Sequence, residues 1–127
     1  MAGVRVVRAG EMRVPAGVAT PGMDRRVAFD HDGAWAGTLR TTSGAITGWH
    51  VHAGHESYIY VVSGSATIES GPGGRDRVDA SAGDFVHIPR GLIHREGTTA
   101  GSAGVHGVLI RVGEGEPVTN VDGPEPD

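Results

Sequence analysis

Apolar and polar residues alternate along most of the chain, in short runs rather than at helical spacing. Gly and Pro clusters interrupt these runs about every eight to twelve residues, which is typical of all-β sandwiches and barrels. The stretches "VSGSAT" and "SGPGGRD" have the composition of hairpin turns. We therefore predict an all-β domain with strands at Val4–Arg8, Arg26–Asp30, Ala34–Thr41, Ala45–Val51, Tyr58–Ser63, Ser65–Ser70, Arg77–Asp79, Asp84–Ile88 and Val105–Val112.

The amino-acid composition of the chain changes near residue 113. The final stretch, "EGEPVTNVDGPEPD", is polar, rich in Pro and Gly, and contains five acidic residues and no basic one. Such composition cannot bury enough apolar surface to offset the entropy of ordering it. We predict a single domain over residues 1–113 and a flexible acidic tail over residues 114–127.

Composition excludes several classes of function. The 127-residue chain has no Cys and no Lys, which excludes disulfides, thiolate metal sites and lysine Schiff-base chemistry. The 15 acids minus the five in the tail leave 10 against 11 arginines, without a basic stripe, so no nucleic-acid partner is expected. No apolar run approaches the roughly 20 residues of a membrane span, and none resembles a signal peptide. We expect a cytoplasmic protein without a membrane partner.

The most unusual stretch is "GWHVHAGHES", which places three histidines and a glutamate within seven residues. Successive side chains on a strand point to opposite faces, so His50 and His52 share one face. Two imidazoles at this spacing can meet one metal ion, and Glu56 follows where the strand opens into a loop. Two histidines and a carboxylate on one side of an ion are typical of non-haem Fe(II) oxygenases. The alternative is a polar loop that is merely rich in histidine.

A second cluster, "GDFVHIPRGLIH", strengthens the metal hypothesis, and together the two clusters resemble the paired motifs of the cupin family. The first motif is Gly, five residues, His-x-His, three or four residues, Glu, six residues and Gly, and its first four fixed positions are matched here by Gly44, His50, His52 and Glu56. The second is Gly, five residues, Pro-x-Gly, two residues and His, matched by Gly83, Pro89, Gly91 and His94. The two motifs occupy residues 44–64 and 83–98.

The resemblance to small, single-domain, quercetin-dioxygenase-like cupins implies a fold and a cofactor. The fold is a double-stranded β-helix, or jelly-roll barrel, with one divalent metal ion inside its wider mouth. Fe(II) is the expected metal, with Zn, Ni, Mn and Cu as alternatives. The resemblance also implies a small-molecule substrate and a homodimer. The implied metal ligands are His50, His52, Glu56 and His94.

The chain departs from the family pattern at two positions. Seven residues rather than six separate Glu56 from Gly64, so counting back from the glycine puts Ser57 at the carboxylate position. We favour Glu56 as the ligand, with a one-residue bulge after the loop to accommodate it. In the alternative, Ser57 faces the metal and the site is mainly histidine. The second departure is Thr98, which stands where the family has an Asn that is usually structural.

Residues near the two motifs supply candidates for a substrate pocket. Phe85 and His87 share one face of their strand, so His87 is a candidate proton shuttle if that face lines the cavity. The alternative is an outer-face histidine hydrogen-bonded to a neighbouring strand. His55 is expected in the loop, at the pocket mouth or in solvent. The predicted pocket residues are Ile46, Ser57, Ile59, Val61 and Phe85.

These features favour a metal-dependent enzyme. Our first hypothesis is a non-haem Fe(II) oxygenase acting on an aromatic or enol-like molecule. The second is an isomerase or cyclase that uses Zn or Ni as a Lewis acid. The third is a cupin that binds a metal or a ligand without catalysis, and the last is a β protein with surface histidines.

Overall fold

The computed structural model describes residues 3–16, 20–99, 101–114 and 118–125. Within these ranges, no helix is long and apolar enough to cross a membrane. Two short 3₁₀ helices span Ala9–Glu11 and Pro72–Gly74. The strands are β1 (Met23–His31), β2 (Ala34–Thr41), β3 (His50–Val51), β4 (His55–Ser63), β5 (Ser65–Ser70), β6 (Asp76–Ser81), β7 (Phe85–Ile88), β8 (His94–Gly97), β9 (Val105–Gly113) and β10 (Thr119–Asn120).

The strands form two five-stranded antiparallel sheets. The first sheet has the order β1-β2-β9-β4-β7 and the second the order β10-β3-β8-β5-β6. Strands that are distant in sequence, such as β2 and β9, are neighbours within one sheet. This arrangement confirms the predicted all-β jelly roll.

Strand alternation determines which side chains fill that interior. Along β4 and β9, every second residue is buried, and the residues between them face outward. Ile59, Ile88 and Leu109 form one apolar cluster within the first sheet. Val61 and Val105 of the first sheet pack against Ala80 of the second, which joins the two sheets. Each fully buried aliphatic side chain stabilises the fold by about 1.5–3 kcal/mol.

The predicted strands agree with the structure wherever the alternation is strong. Ala34–Thr41 and Ser65–Ser70 are confirmed to the residue, and five others are confirmed with shifted ends. The strand predicted at Val4–Arg8 is wrong, because Val4 and Val6 are exposed and no strand pairs with them among the described residues. Of the predicted strand Ala45–Val51, only His50–Val51 is regular, with one isolated bridge between Ile46 and Gly97.

The acidic tail was expected to be flexible, but its described part is paired with the barrel. In β10, Thr119 lies opposite Val51 and Asn120 opposite His50. The Val121 amide donates to the Trp49 carbonyl at 3.1 Å, which extends this pairing. Residues 119–121 therefore lie beside the strand that carries the first histidine, where the edge of β3 pairs with them.

Contacts between the two motifs hold their ends together. The Gly44 amide donates to Thr98 Oγ1 at 2.9 Å, and the Thr98 hydroxyl donates to the Thr42 carbonyl at 2.8 Å. Thr98 thus performs the structural role expected of that position. Gly97 passes so close to the Ala45 carbonyl that a Cβ there would lie 2.2 Å from the oxygen, so only glycine fits.

Candidate metal centre

Three imidazoles and one carboxylate meet inside the barrel. His50 on β3 lies directly opposite His94 on β8, with the ring centroids 4.3 Å apart. His52 and Glu96 each follow two residues later, so strand alternation brings them to the same side. One potential ligand atom from each residue lies within 4.8 Å of the others, and all four residues are buried.

Backbone carbonyls fix the orientation of two of the rings. The Nδ1 atoms of His50 and His94 lie 2.9 Å and 3.0 Å from the carbonyl oxygens of Gly48 and Leu92. A carbonyl only accepts, so each Nδ1 carries the proton and donates it, which leaves Nε2 as the free ligand atom. Histidines that bind metals are usually oriented in this way. The Nε2 atom of His94 is buried and has no hydrogen-bond partner among the described residues.

Burial and neighbouring groups shift the pKa values of His94 and Glu96. Burial lowers the pKa of His94, because it disfavours the charged imidazolium. Burial alone would raise the pKa of Glu96, but the His50 ring, 3.7 Å away, and the charges nearby outweigh it and lower that pKa. Neutral imidazoles and an ionised carboxylate are the donors that divalent transition metals accept. The cluster therefore fits such an ion.

A sequence model of the cupin domain matches residues 38–111, which is more than half of the chain and includes all four clustered residues. The chain belongs to the cupin family. A search of curated proteins found no match.

Solved structures share the fold of this cupin over most of its length. The polyketide cyclase RemF from Streptomyces resistomycificus is 24% identical, with a TM-score of 0.74 over 93% of this chain and 85% of that one. An uncharacterised Klebsiella pneumoniae protein with a double-stranded β-helix domain is 18% identical, with a TM-score of 0.71 over 94% and 98%. KdgF from a Halomonas species is 18% identical, with a TM-score of 0.70 over 87% and 96%. At these identities the likeness shows the fold.

The carboxylate in this cluster belongs to Glu96, and the prediction of Glu56 is corrected. The pairing of β4 with β9 runs without interruption from His55 to Val61, and the irregularity follows Val61. The bulge therefore lies C-terminal to the part of β4 that contains Glu56, and it does not turn this side chain inward. Ser57 faces the interior instead and is 1% exposed, as the count back from Gly64 indicates.

Glu56 lies on the outer face of β4 and forms hydrogen bonds with the turn after β7. Its carboxylate accepts hydrogen bonds from the Arg90 backbone at 2.7 Å and the Arg90 side chain at 3.0 Å. The Nε2 atom of His87 lies 2.7 Å from its other oxygen. The Arg90 backbone N–H, the His87 ring and the Arg90 side chain together lower the pKa of Glu56 to about 2.

The candidate proton shuttle His87 also faces outward. His87 and Phe85 do share a face of β7, but it is the outer one, and Phe85 is 79% exposed. His87 stacks on Tyr58 and contacts Glu56 of the neighbouring strand, as the alternative interpretation expected. Val86 and Ile88 take the inward positions because successive residues alternate.

The remaining pocket predictions divide between the interior and the surface. Ser57 and Ile59 line the interior space next to His52 and Glu96. Val61 is inward but packs in the apolar core. Ile46 is exposed and lies outside that space. His55 is buried on β4 rather than placed in a loop.

Sequence reasoning missed three interior residues. Glu96 stands two residues after His94, the same spacing that links His50 to His52, and this spacing was the available signal. Arg25 on β1 and Arg111 on β9 occupy inward positions of strands with clear alternation. Arg25 stands just before the strand predicted at Arg26–Asp30, and Arg111 was not singled out because arginines in strands are usually exposed.

Proposed function

We propose that this cupin is a metal-dependent enzyme in which His50, His52, His94 and Glu96 hold one divalent ion. The observation that carries the proposal is the buried His94 Nε2 atom, which has no hydrogen-bond partner among the described residues and lies beside three other potential ligands. Leaving such an atom unpaired costs about 1–3 kcal/mol. A metal ion would remove that cost.

When bound, the ion supplies Lewis acidity and, as Fe(II), electrons for chemistry with dioxygen. The chain's own residues prepare the site. The carbonyls of Gly48 and Leu92 hold two rings in place, and Glu96 provides a negative charge. The apolar side chains of Leu39 and Ile59 line the space that adjoins Glu96.

The reaction we propose is oxygenation of a small aromatic or enol-like molecule by the Fe(II) form. His50, His52, His94 and Glu96 would supply four donors, and an ion that accepts six ligands would keep positions for other molecules. The space that adjoins Glu96 is lined mainly by apolar side chains, which favours a substrate with an apolar part. These two features support the oxygenase over a purely structural metal.

Oxygen uptake by the iron-loaded protein tests this reaction. We expect substrate-dependent uptake with at least one member of a panel of diketones, flavonols and catechols. Glu96→Gln should lose both bound iron and uptake, whereas the matched surface change Glu56→Gln should keep both. Absence of uptake across the panel, or full iron binding by Glu96→Gln, would contradict the proposal.

A second reaction is favoured by the likeness of this fold to a polyketide cyclase over 93% of the chain. In that reaction the enzyme would catalyse an isomerisation or cyclisation with a redox-inert ion as a Lewis acid. Protein purified without added metal would then contain zinc or nickel at full occupancy and consume no oxygen. Tight metal binding without any turnover would instead indicate a non-catalytic binding protein.

A further inference from the structure

Two arginine side chains enter the barrel beside the candidate metal centre. Arg111 lies on β9 and is 7% exposed, and Arg25 lies half-buried on β1. The Nε atoms of both are buried and have no hydrogen-bond partner among the described residues. Within the described ranges, the one hydrogen bond of the Arg25 side chain is a weak 3.7 Å contact with the sulfur of Met23. Buried charged donors are normally paired, so these two require an acceptor.

A third hydrogen-bond donor, the hydroxyl of Ser57, faces the same interior space as the two arginines. Ser57 lies opposite Arg111 in the ladder between β4 and β9, and its buried hydroxyl also has no partner in the described part of the chain. One narrow interior space is lined by Arg25, Ser57 and Arg111, and it reaches His52 and Glu96 of the metal cluster. Three unpaired donors therefore border a single space next to the candidate metal ligands.

The charges around this space do not balance. Two guanidinium groups face one carboxylate, Glu96, and a divalent ion would increase the positive excess. Burial and the neighbouring Arg25 lower the pKa of Arg111 to about 10, which still leaves it charged at neutral pH. Two like charges brought together in a low-dielectric interior are costly unless an anion joins them.

The surroundings of Arg111 determine which kind of anion its guanidinium can bind. Its guanidinium lies over the Trp35 ring, 5.1 Å from the centroid, so one face is covered and the N–H edge remains for a ligand. A guanidinium edge binds planar carboxylates through two parallel hydrogen bonds. The space is narrow, which excludes a whole ring from it.

We propose that Arg111, Arg25 and Ser57 bind the carboxylate of a small organic acid beside the metal centre. This inference rests on the proposed function, because it adds a carboxylate to the aromatic or enol-like substrate proposed there. The carboxylate accepts hydrogen bonds from both guanidinium groups and from the serine hydroxyl. The remainder of the acid then extends toward His52 and Glu96.

Acetate is the probe for this pocket, with acetamide as its neutral counterpart. Trp35 reports on Arg111, so binding is followed by tryptophan fluorescence and by calorimetry, in metal-free protein and in protein loaded with Zn²⁺. We expect saturable binding of acetate but not of acetamide. Arg111→Met should weaken acetate binding at least tenfold while metal stoichiometry stays unchanged. The matched control is Arg26→Met, which removes the next arginine of β1, on the outer face.

The possible outcomes distinguish failure of the proposed carboxylate pocket from failure of the proposed metal site. Acetate binding that is absent in the wild type, or equal in Arg111→Met, overturns the pocket, since an anion held by the metal alone would not need Arg111. If Zn²⁺ fails to bind but acetate still binds through Arg111, the proposed function fails and the pocket stands. If Arg111→Met does not fold, as judged by circular dichroism, Arg25→Met and Ser57→Ala give the same test.

Discussion

Replacing His94 with alanine removes the residue on which the metal hypothesis depends most. His94 is fully buried, its Nδ1 atom is 3.0 Å from the Leu92 carbonyl, and its Nε2 atom has no other partner among the described residues. Changes to groups that merely orient metal-binding histidines weaken metal affinity 10- to 100-fold. Loss of a ligand itself should therefore weaken it by at least about 100-fold, or about 2.8 kcal/mol.

This loss has a measurable effect on thermal stability. At a metal concentration about 100 times the wild-type Kd, binding stabilises the folded state by about 2.7 kcal/mol. After a 100-fold loss of affinity, the same concentration only equals the Kd, and the stabilisation falls to about 0.4 kcal/mol. For a domain of this size, 1 kcal/mol corresponds to about 4 °C in Tm. The metal-induced rise in Tm should fall from about 11 °C to about 2 °C.

The assay is differential scanning calorimetry of each variant with and without Zn²⁺, together with competition against a chromogenic chelator. Comparing each variant with its own metal-free form removes the cost of the cavity that alanine leaves. His106→Ala is the control, because His106 lies on β9 outside the cluster. A full metal-induced shift in His94→Ala, with unchanged Kd, would refute the assignment of this cluster as a metal site.

Two further predictions test the orientation of β4 and β7. The pKa of Glu56 is lowered to about 2, so its contacts stabilise the fold fully above its ordinary pKa of 4.5 and are lost as the pH falls toward 2. Urea unfolding at a series of pH values should therefore show a steeper acid loss for wild type than for Glu56→Gln, and parallel curves would count against these contacts. Ile88→Ala should cost about 2–5 kcal/mol because Ile88 is 2% exposed, whereas Phe85→Ala should cost less than about 0.5 kcal/mol. Equal urea midpoints for these two variants would contradict the inward position of Ile88.

The sequence predicts the strands whose two faces differ in polarity. β2 and β5 alternate clearly and lie between turn residues, so both were placed to the residue. β8 reads "HREG" and β10 reads "TN", and neither contains an apolar residue that alternation would reveal. Their pairing is set by neighbours distant in the chain, since β8 joins β3 to β5 and β10 covers the edge of β3. The local pattern of apolar and polar residues does not reveal pairing between strands that are distant in the chain.

The histidines were predictable for a different reason. His50, His52 and His94 were found through spacing and resemblance, and the structure brings all three together. The pairing of β10 with β3 was not predicted, because the acidic, Pro-rich composition of the tail is typical of flexible chain. The two paired residues, Thr119 and Asn120, are too few to give an alternating pattern.

The carboxylate was misassigned because a strand has a period of two residues. A shift of one position exchanges its faces, so the choice between Glu56 and Ser57 depended entirely on whether a bulge preceded Ile59. The irregularity lies beyond Val61, so Ser57 faces inward and leaves the first motif without a carboxylate. Glu96 supplies one from the opposite strand. Each of two segments thus contributes two potential donors, and all four meet only where β3 pairs with β8, so the proposed metal binding would depend on formation of the folded barrel.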